Sequence, residues 1–63
     1  MNKNQAAFYK KVGRREGKLD CLASDNYTVA QRAERTCYRM GIYCYVKYFI
    51  AGYIETAMEG RGS

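Results

Sequence analysis

The three thiols, Cys21, Cys37 and Cys44, are the side chains best suited to metal or redox chemistry in this chain of 63 residues, which contains no histidine. A structural zinc site needs four Cys or His ligands at short spacings, and a nucleophilic thiol needs a neighbouring base. Cys37 and Cys44 share a helical face but stand too far apart along it to form a redox or metal pair. We therefore expect small buried hydrophobic side chains in a reducing compartment, with no metal and no cofactor.

Carboxylates offer no second route to catalysis. Glu16 and Asp20 form a close acidic couple, and ion pairs with the lysines between residues 10 and 18 account for them. General acid–base chemistry depends on a positioned pair of titratable groups, which the sequence does not supply. We therefore expect a protein that is not an enzyme and that has no catalytic residues.

Positive charge is the second chemical feature, because 11 Lys and Arg residues against 6 Asp and Glu residues give a formal charge of +5. Arg32, Arg35 and Arg39 form one helical stripe with Tyr43 next along it, a pattern that suits phosphate contacts and base stacking. A solvated helix face is the alternative interpretation, since a basic pI is weak evidence in a small chain. The nucleic-acid hypothesis rests on two basic helical faces, namely Lys10, Lys11, Arg14, Arg15, Arg32, Arg35 and Arg39.

Aromatic residues concentrate in the second half of the chain, which holds most of the seven tyrosines. At helical spacing, tyrosine belongs more often to a core or an interface than to a base-stacking platform. Tyrosine is also enriched among the residues that dominate binding energy at protein interfaces. We therefore predict a partner-binding face made of Tyr38, Ile42, Tyr45, Phe49 and Tyr53.

Two helices must position these side chains. The apolar spacing predicts a first helix over about 4–18, with Asn2 or Asn4 as its cap. Gly13 and Gly17 weaken its far end by about 1 kcal/mol each relative to alanine, and they leave room for another helix to come close.

The second predicted helix is long and covers about 27–58, because the chain has no proline to stop it. Residues 24–26 can cap it, and Thr28 with Gln31 provides an alternative capping-box start. The rival interpretation is a strand over residues 42–50, which are rich in β-branched and aromatic side chains. No other segment looks like a pairing strand, so we predict an all-α helical hairpin in a single domain, 1–63, with frayed last residues.

Helix lengths predict an interaction surface. The long helix would extend about 48 Å and the first about 22 Å, so the first covers only half of it. Residues 40–54 are apolar nearly all round, and 15 residues are too few to span a membrane, which needs about 20. Either the chain bends at Gly41 or Gly52 and folds on itself, or the exposed half docks on something. We expect self-association, a partner protein, or both. A peripheral membrane helix is the third alternative.

The stretch NYTVAQRAERTCYRMGIYCYVKYFIAGYIETAMEG, and the chain as a whole, resembles the small early proteins of lambdoid phages that are encoded between the exonuclease and excisionase genes. The resemblance implies expression early in infection, in the host bacterial cytoplasm. It also implies a role in tuning host physiology and the lysis–lysogeny choice. The helix lengths and the apolar pattern, not the resemblance, suggest that the chain acts by contact with a host or phage protein. The start of the chain agrees with this location, because Ala6 to Phe8 are followed at once by Tyr9 and two lysines, unlike a signal peptide.

A weaker similarity connects the chain to ribosome modulation factor, a short basic helical protein. Gly13 and Gly17 echo the glycine spacing of that family's first helix, and Tyr38, Gly41 and Tyr43 echo its second. The family's Cys-Pro-Tyr and tryptophans are missing, and Asn26-Tyr27 stands nearest to them. This similarity implies ribosome binding as one form of the nucleic-acid alternative.

Overall fold

The computed structural model describes residues 3–20 and 26–59, and it is all-α over these ranges. It contains α1 (Lys3–Lys18), α2 (Asn26–Arg39) and α3 (Val46–Glu59). The all-α prediction and the first helix are confirmed. The prediction of a single long helix is wrong, because two helices and a turn occupy its predicted range. The proposed caps at residues 2, 24 and 25 lie outside the described residues.

The long helix breaks at Gly41, one of the two predicted bend sites. Gly41 has a φ of 79°, in the left-handed region that glycine tolerates best. The Gly41 amide donates to the carbonyl of Tyr38, and the Ile42 amide donates to the carbonyl of Cys37, both at 3.0 Å. These two bonds form a Schellman motif, which satisfies the last carbonyl groups of α2 and turns the chain away.

The other predicted bend site, Gly52, lies within α3, where it allows α1 to pack closely against α3. A Cβ built on Gly52 would overlap the carbonyl oxygen of Lys10 in α1, and one built on Gly13 would overlap that of Phe49. The expectation that Gly13 leaves room for a close helix is thus confirmed. The hydroxyl of Thr56 donates to the carbonyl of Arg14 at 2.7 Å, a bond that only this close approach allows.

The paired positions fix the directions of the helices. Gln5 in α1 contacts Tyr45 just before α3, and Gly17 near the end of α1 contacts Thr56 near the end of α3. α1 therefore runs parallel to α3. The turn over residues 40–45 reverses the chain, so α2 runs antiparallel to α3, and α1 and α2 scarcely touch.

The core lies between α2 and α3, with α1 covering one side. Six side chains form it, and they are Val29, Ala33, Cys37, Phe49, Tyr53 and Ala57. Val12 of α1 packs against this cluster. The apolar stretch over residues 40–54 is buried only in part, at Phe49, Gly52 and Tyr53, where the turn brings α3 back between the other two helices. Within the described residues no strand forms, so the strand interpretation of residues 42–50 is wrong.

Candidate interaction surface

A group of exposed apolar side chains lies in the turn between α2 and α3 and on the helix ends beside it. Tyr38 and Met40 are each 45% exposed, Tyr43 is 72% exposed and Tyr48 is 37% exposed. We call these four residues the turn face. Tyrosine and methionine are enriched at protein interfaces, whereas an isolated monomer gains nothing from exposing them. The turn face is therefore the strongest candidate for a binding surface.

Ring contacts hold the turn face in shape. The rings of Tyr38 and Tyr43 stack, with centroids 5.8 Å apart and planes 17° apart. Tyr43 and Tyr48 line one shallow groove, which Tyr45 and Val46 also line. Rigid aromatic side chains lose little conformational freedom on binding, so a prearranged group of this kind favours association.

The five residues predicted to bind a partner do not form one surface. Phe49 is fully buried and Tyr53 is 4% exposed, because both lie in the core. Ile42 and Tyr45 are half-buried, and only Tyr38 is exposed. The prediction that Phe49 and Tyr53 belong to the partner-binding face is therefore wrong. Their helical spacing is real, but it serves packing within the chain.

Tyr53 belongs to a polar group that ties the three helices together. Asp20, two residues after the end of α1, has a fully buried side chain that accepts two hydrogen bonds from the guanidinium of Arg32 in α2, at 2.9 and 3.1 Å. The hydroxyl of Tyr53 in α3 donates to the same carboxylate at 2.6 Å. Burial, with this hydrogen bond, raises the pKa of Tyr53 to about 12. The hydrogen bond to Asp20 raises the pKa of Arg32 as well.

Two further cations of the predicted nucleic-acid set form ion pairs within the molecule. Glu55 in α3 forms ion pairs with Lys10, at 3.1 Å, and with Arg14. The hydrogen bond from Lys10 is the main reason why the pKa of Glu55 is lowered. Lys10 and Arg14 thus help to hold α1 against α3. The expectation that Asp20 pairs with the lysines of the first helix is wrong, because its partner is Arg32.

Four cations of that set have no carboxylate within 4 Å in the part of the chain that the structure describes, and they are Lys11, Arg15, Arg35 and Arg39. All four side chains are exposed. Lys11 and Arg15 lie one turn apart on α1, and Arg35 and Arg39 lie one turn apart on α2. Tyr43 does not continue the arginine stripe, because α2 ends before it.

The thiols divide between the core and the surface. Cys37 is buried, as predicted, and its thiol donates to the carbonyl of Ile42 at 3.2 Å. Burial raises the pKa of the Cys37 thiol. Cys44 is exposed on the turn, so the prediction of a buried side chain is wrong there. Cys21 lies outside the described residues. Over residues 3–20 and 26–59, no three acidic or thiol side chains come together as metal ligands do.

Sequence reasoning did not place Met40, Tyr43 and Tyr48 on the partner-binding face. Gly41 was the available signal, because a glycine that ends a helix places the residues after it in a turn. Neither α1 nor the other two helices, within the residues described, is long and apolar enough to cross a membrane. Comparison of the chain with protein-family models, curated proteins and solved structures finds no match.

Proposed function

We propose that this chain is a small non-enzymatic phage early protein that modulates host physiology or the lysis–lysogeny decision by binding another protein through its turn face. The observation that carries the proposal is the exposure of Met40 and Tyr43 in the turn, with Tyr38 at the end of α2 and Tyr48 at the start of α3. The phage assignment rests on the resemblance of the whole sequence. The cytoplasm of the infected bacterium follows from that assignment.

The charge around the turn face favours a partner with an acidic rim. No Asp or Glu occurs between residues 35 and 54, and Arg39 and Lys47 are exposed beside the tyrosines. Complementary charge raises the association rate and excludes partners of like charge. We therefore expect an apolar patch bordered by carboxylates on the partner.

Affinity capture tests the class of partner. Tagged protein is incubated with bacterial lysate, with and without nuclease, and the bound proteins are identified by mass spectrometry. The proposal expects a discrete protein that survives nuclease and that Tyr43→Ala loses. Tyr27→Ala is the matched control, because Tyr27 is 74% exposed and lies at the opposite end of α2. A bound protein that both variants retain would exclude the turn face as its site.

Nucleic-acid binding, including binding to the ribosome, is the second candidate function. It is supported by four exposed cations that form no ion pair with a carboxylate of residues 3–20 or 26–59, namely Lys11, Arg15, Arg35 and Arg39. If all four contact phosphates of a single strand, log K should fall with log salt with a slope of about −3.

Two double variants separate this candidate from a general effect of charge. Lys11→Gln with Arg15→Gln removes two free cations, and we expect the salt slope to become shallower by about 1.4. Lys10→Gln with Arg14→Gln removes the same formal charge from the same helix, but these two side chains are paired with Glu55. Because the second pair shares one carboxylate, its removal should make the slope shallower by less than removal of the first pair. Fluorescence anisotropy of a labelled single-stranded oligonucleotide measures both, and equal effects would exclude a specific site.

A further inference from the structure

The turn between α2 and α3 contains a strained residue. Tyr45 has a φ of 59°, in the left-handed region. In this region the Cβ atom of an L-residue comes too close to the following carbonyl oxygen. This conformation is rare for a bulky side chain, and it persists only where the surroundings enforce it. Gly41, at the other end of the turn, has a φ of 79°, which glycine adopts without such a penalty.

Side chains of α1 hold Tyr45 in place. Its ring stacks on the ring of Tyr9, with centroids 5.3 Å apart and planes 13° apart. Its hydroxyl donates to the Oε1 atom of Gln5 at 2.8 Å. The closed turn is thus maintained by contacts with a separate helix, while the local backbone of the turn opposes it.

Nothing in the composition of the turn prevents it from becoming helical. Residues 40–45 contain no proline, and the apolar spacing typical of a helix continues across them from α2 into α3. In the closed form the turn also leaves Met40 and Tyr43 exposed. Straightening of the turn would relieve Tyr45 and add backbone hydrogen bonds over these residues.

We propose that the turn is a hinge and that a second copy of this chain is the partner of its open form. With the turn helical, α2 and α3 become one helix over residues 26–59, about 51 Å long. The α3 segment of each copy then packs between α1 and α2 of the other. The close contact of Gly13 with Phe49 and the hydrogen bond from Thr56 to Arg14 are kept, but they join two chains. Such an exchange of identical elements needs no new core, which makes it a low-cost route to a dimer.

This inference is independent of the proposed function, because it rests on the backbone of the turn and not on a foreign partner. It adds a form of regulation to that function. In the dimer, the turn-face residues are part of the two long helices and no longer form the turn. The dimer and the partner-bound monomer are therefore alternative states. Measurements on the purified chain alone test it, and their outcome does not depend on whether a host partner is found.

Two substitutions at the hinge have opposite expected effects. Gly41→Ala penalises the left-handed residue of the closed turn and favours a helix, and no atom lies within 4 Å of the added methyl group. Tyr45→Gly relieves the strain in the closed turn and weakens the open helix. Each dimer opens two hinges. We therefore expect Gly41→Ala to lower the dimer dissociation constant about a hundredfold, at about tenfold per hinge, and Tyr45→Gly to raise it.

Light scattering coupled to size-exclusion chromatography over a range of protein concentrations measures the dissociation constants. Circular dichroism confirms that each variant is folded. A mixture of isotope-labelled and unlabelled chains then identifies the architecture, because a swapped dimer gives intermolecular NOEs between Gly13 and Phe49. A folded, monomeric Gly41→Ala variant at NMR concentrations would overturn the proposal. A dimer whose α1–α3 contacts all lie within one chain would overturn it as well.

Discussion

Gly13→Ala tests the close packing of α1 on α3, because two simple arguments give it opposite signs. In an exposed helix position, alanine is more favourable than glycine by about 1 kcal/mol. At Gly13, however, the added methyl group would overlap the carbonyl oxygen of Phe49. That oxygen belongs to the backbone of α3, so no rotamer change can move it away.

The steric effects are larger than the gain in helix propensity. Overpacking typically costs about 1–3 kcal/mol, and retreat of α1 also weakens the hydrogen bond from Thr56 to Arg14, which contributes about 1 kcal/mol. After subtraction of the propensity gain, we expect a net loss of about 2 kcal/mol in the free energy of unfolding. In a domain of this size such a loss lowers Tm by about 12 °C.

Thermal unfolding followed by circular dichroism at fixed protein concentration measures this loss. Ala7→Gly is the matched control, because Ala7 is exposed on the same helix. It should lose about 1 kcal/mol from helix propensity alone. The two sites then prefer opposite residues, glycine at 13 and alanine at 7. A Gly13→Ala variant that is more stable than the parent chain would refute the close helix contact.

Three further predictions concern the core and the thiols. The pKa of Tyr53 is raised to about 12, so the protonated hydroxyl stabilises the fold fully below pH 10, and this stabilisation is lost as the pH rises to 12. Urea unfolding should therefore show an additional loss of about 2–3 kcal/mol in the free energy of unfolding over this interval, and the Tyr53→Phe variant should lack that loss. Asp20→Asn weakens the bonds to the other two helices and should lower the free energy of unfolding by about 2 kcal/mol, whereas Glu16→Gln should change the urea midpoint little. In a Cys21→Ser background, Ellman's reagent should modify Cys44 quickly and Cys37 only after unfolding, so two fast thiols would contradict the burial of Cys37.

Much of the fold could be predicted from the sequence because it depends on local signals. Helical spacing and the absence of proline indicate an all-α chain, and the first helix has nearly the predicted bounds. The break at Gly41 was one of two predicted options. Glycine alone does not distinguish a helix end from a close helix contact, since Gly41 serves the first purpose and Gly52 the second.

The candidate surface was less predictable, because it depends on contacts between distant segments. An aromatic stripe has the same spacing whether it faces a core or a partner, so Phe49 and Tyr53 could not be assigned from periodicity. The pairing of Lys10 and Arg14 with Glu55 joins residues about 40 positions apart. Only the fold shows that these two cations form ion pairs, whereas Lys11 and Arg15 have no carboxylate partner among the described residues.

The central claim is that the turn face binds a protein partner, and isothermal titration with the protein recovered by affinity capture tests it most directly. Tyr43 and Tyr27 are exposed to nearly the same extent, 72% and 74%, but only Tyr43 lies on the turn. We predict that Tyr43→Ala weakens binding at least about tenfold, as expected for an aromatic residue at the centre of an interface, and that Tyr27→Ala has little effect. Equal dissociation constants for the two variants would contradict the claim.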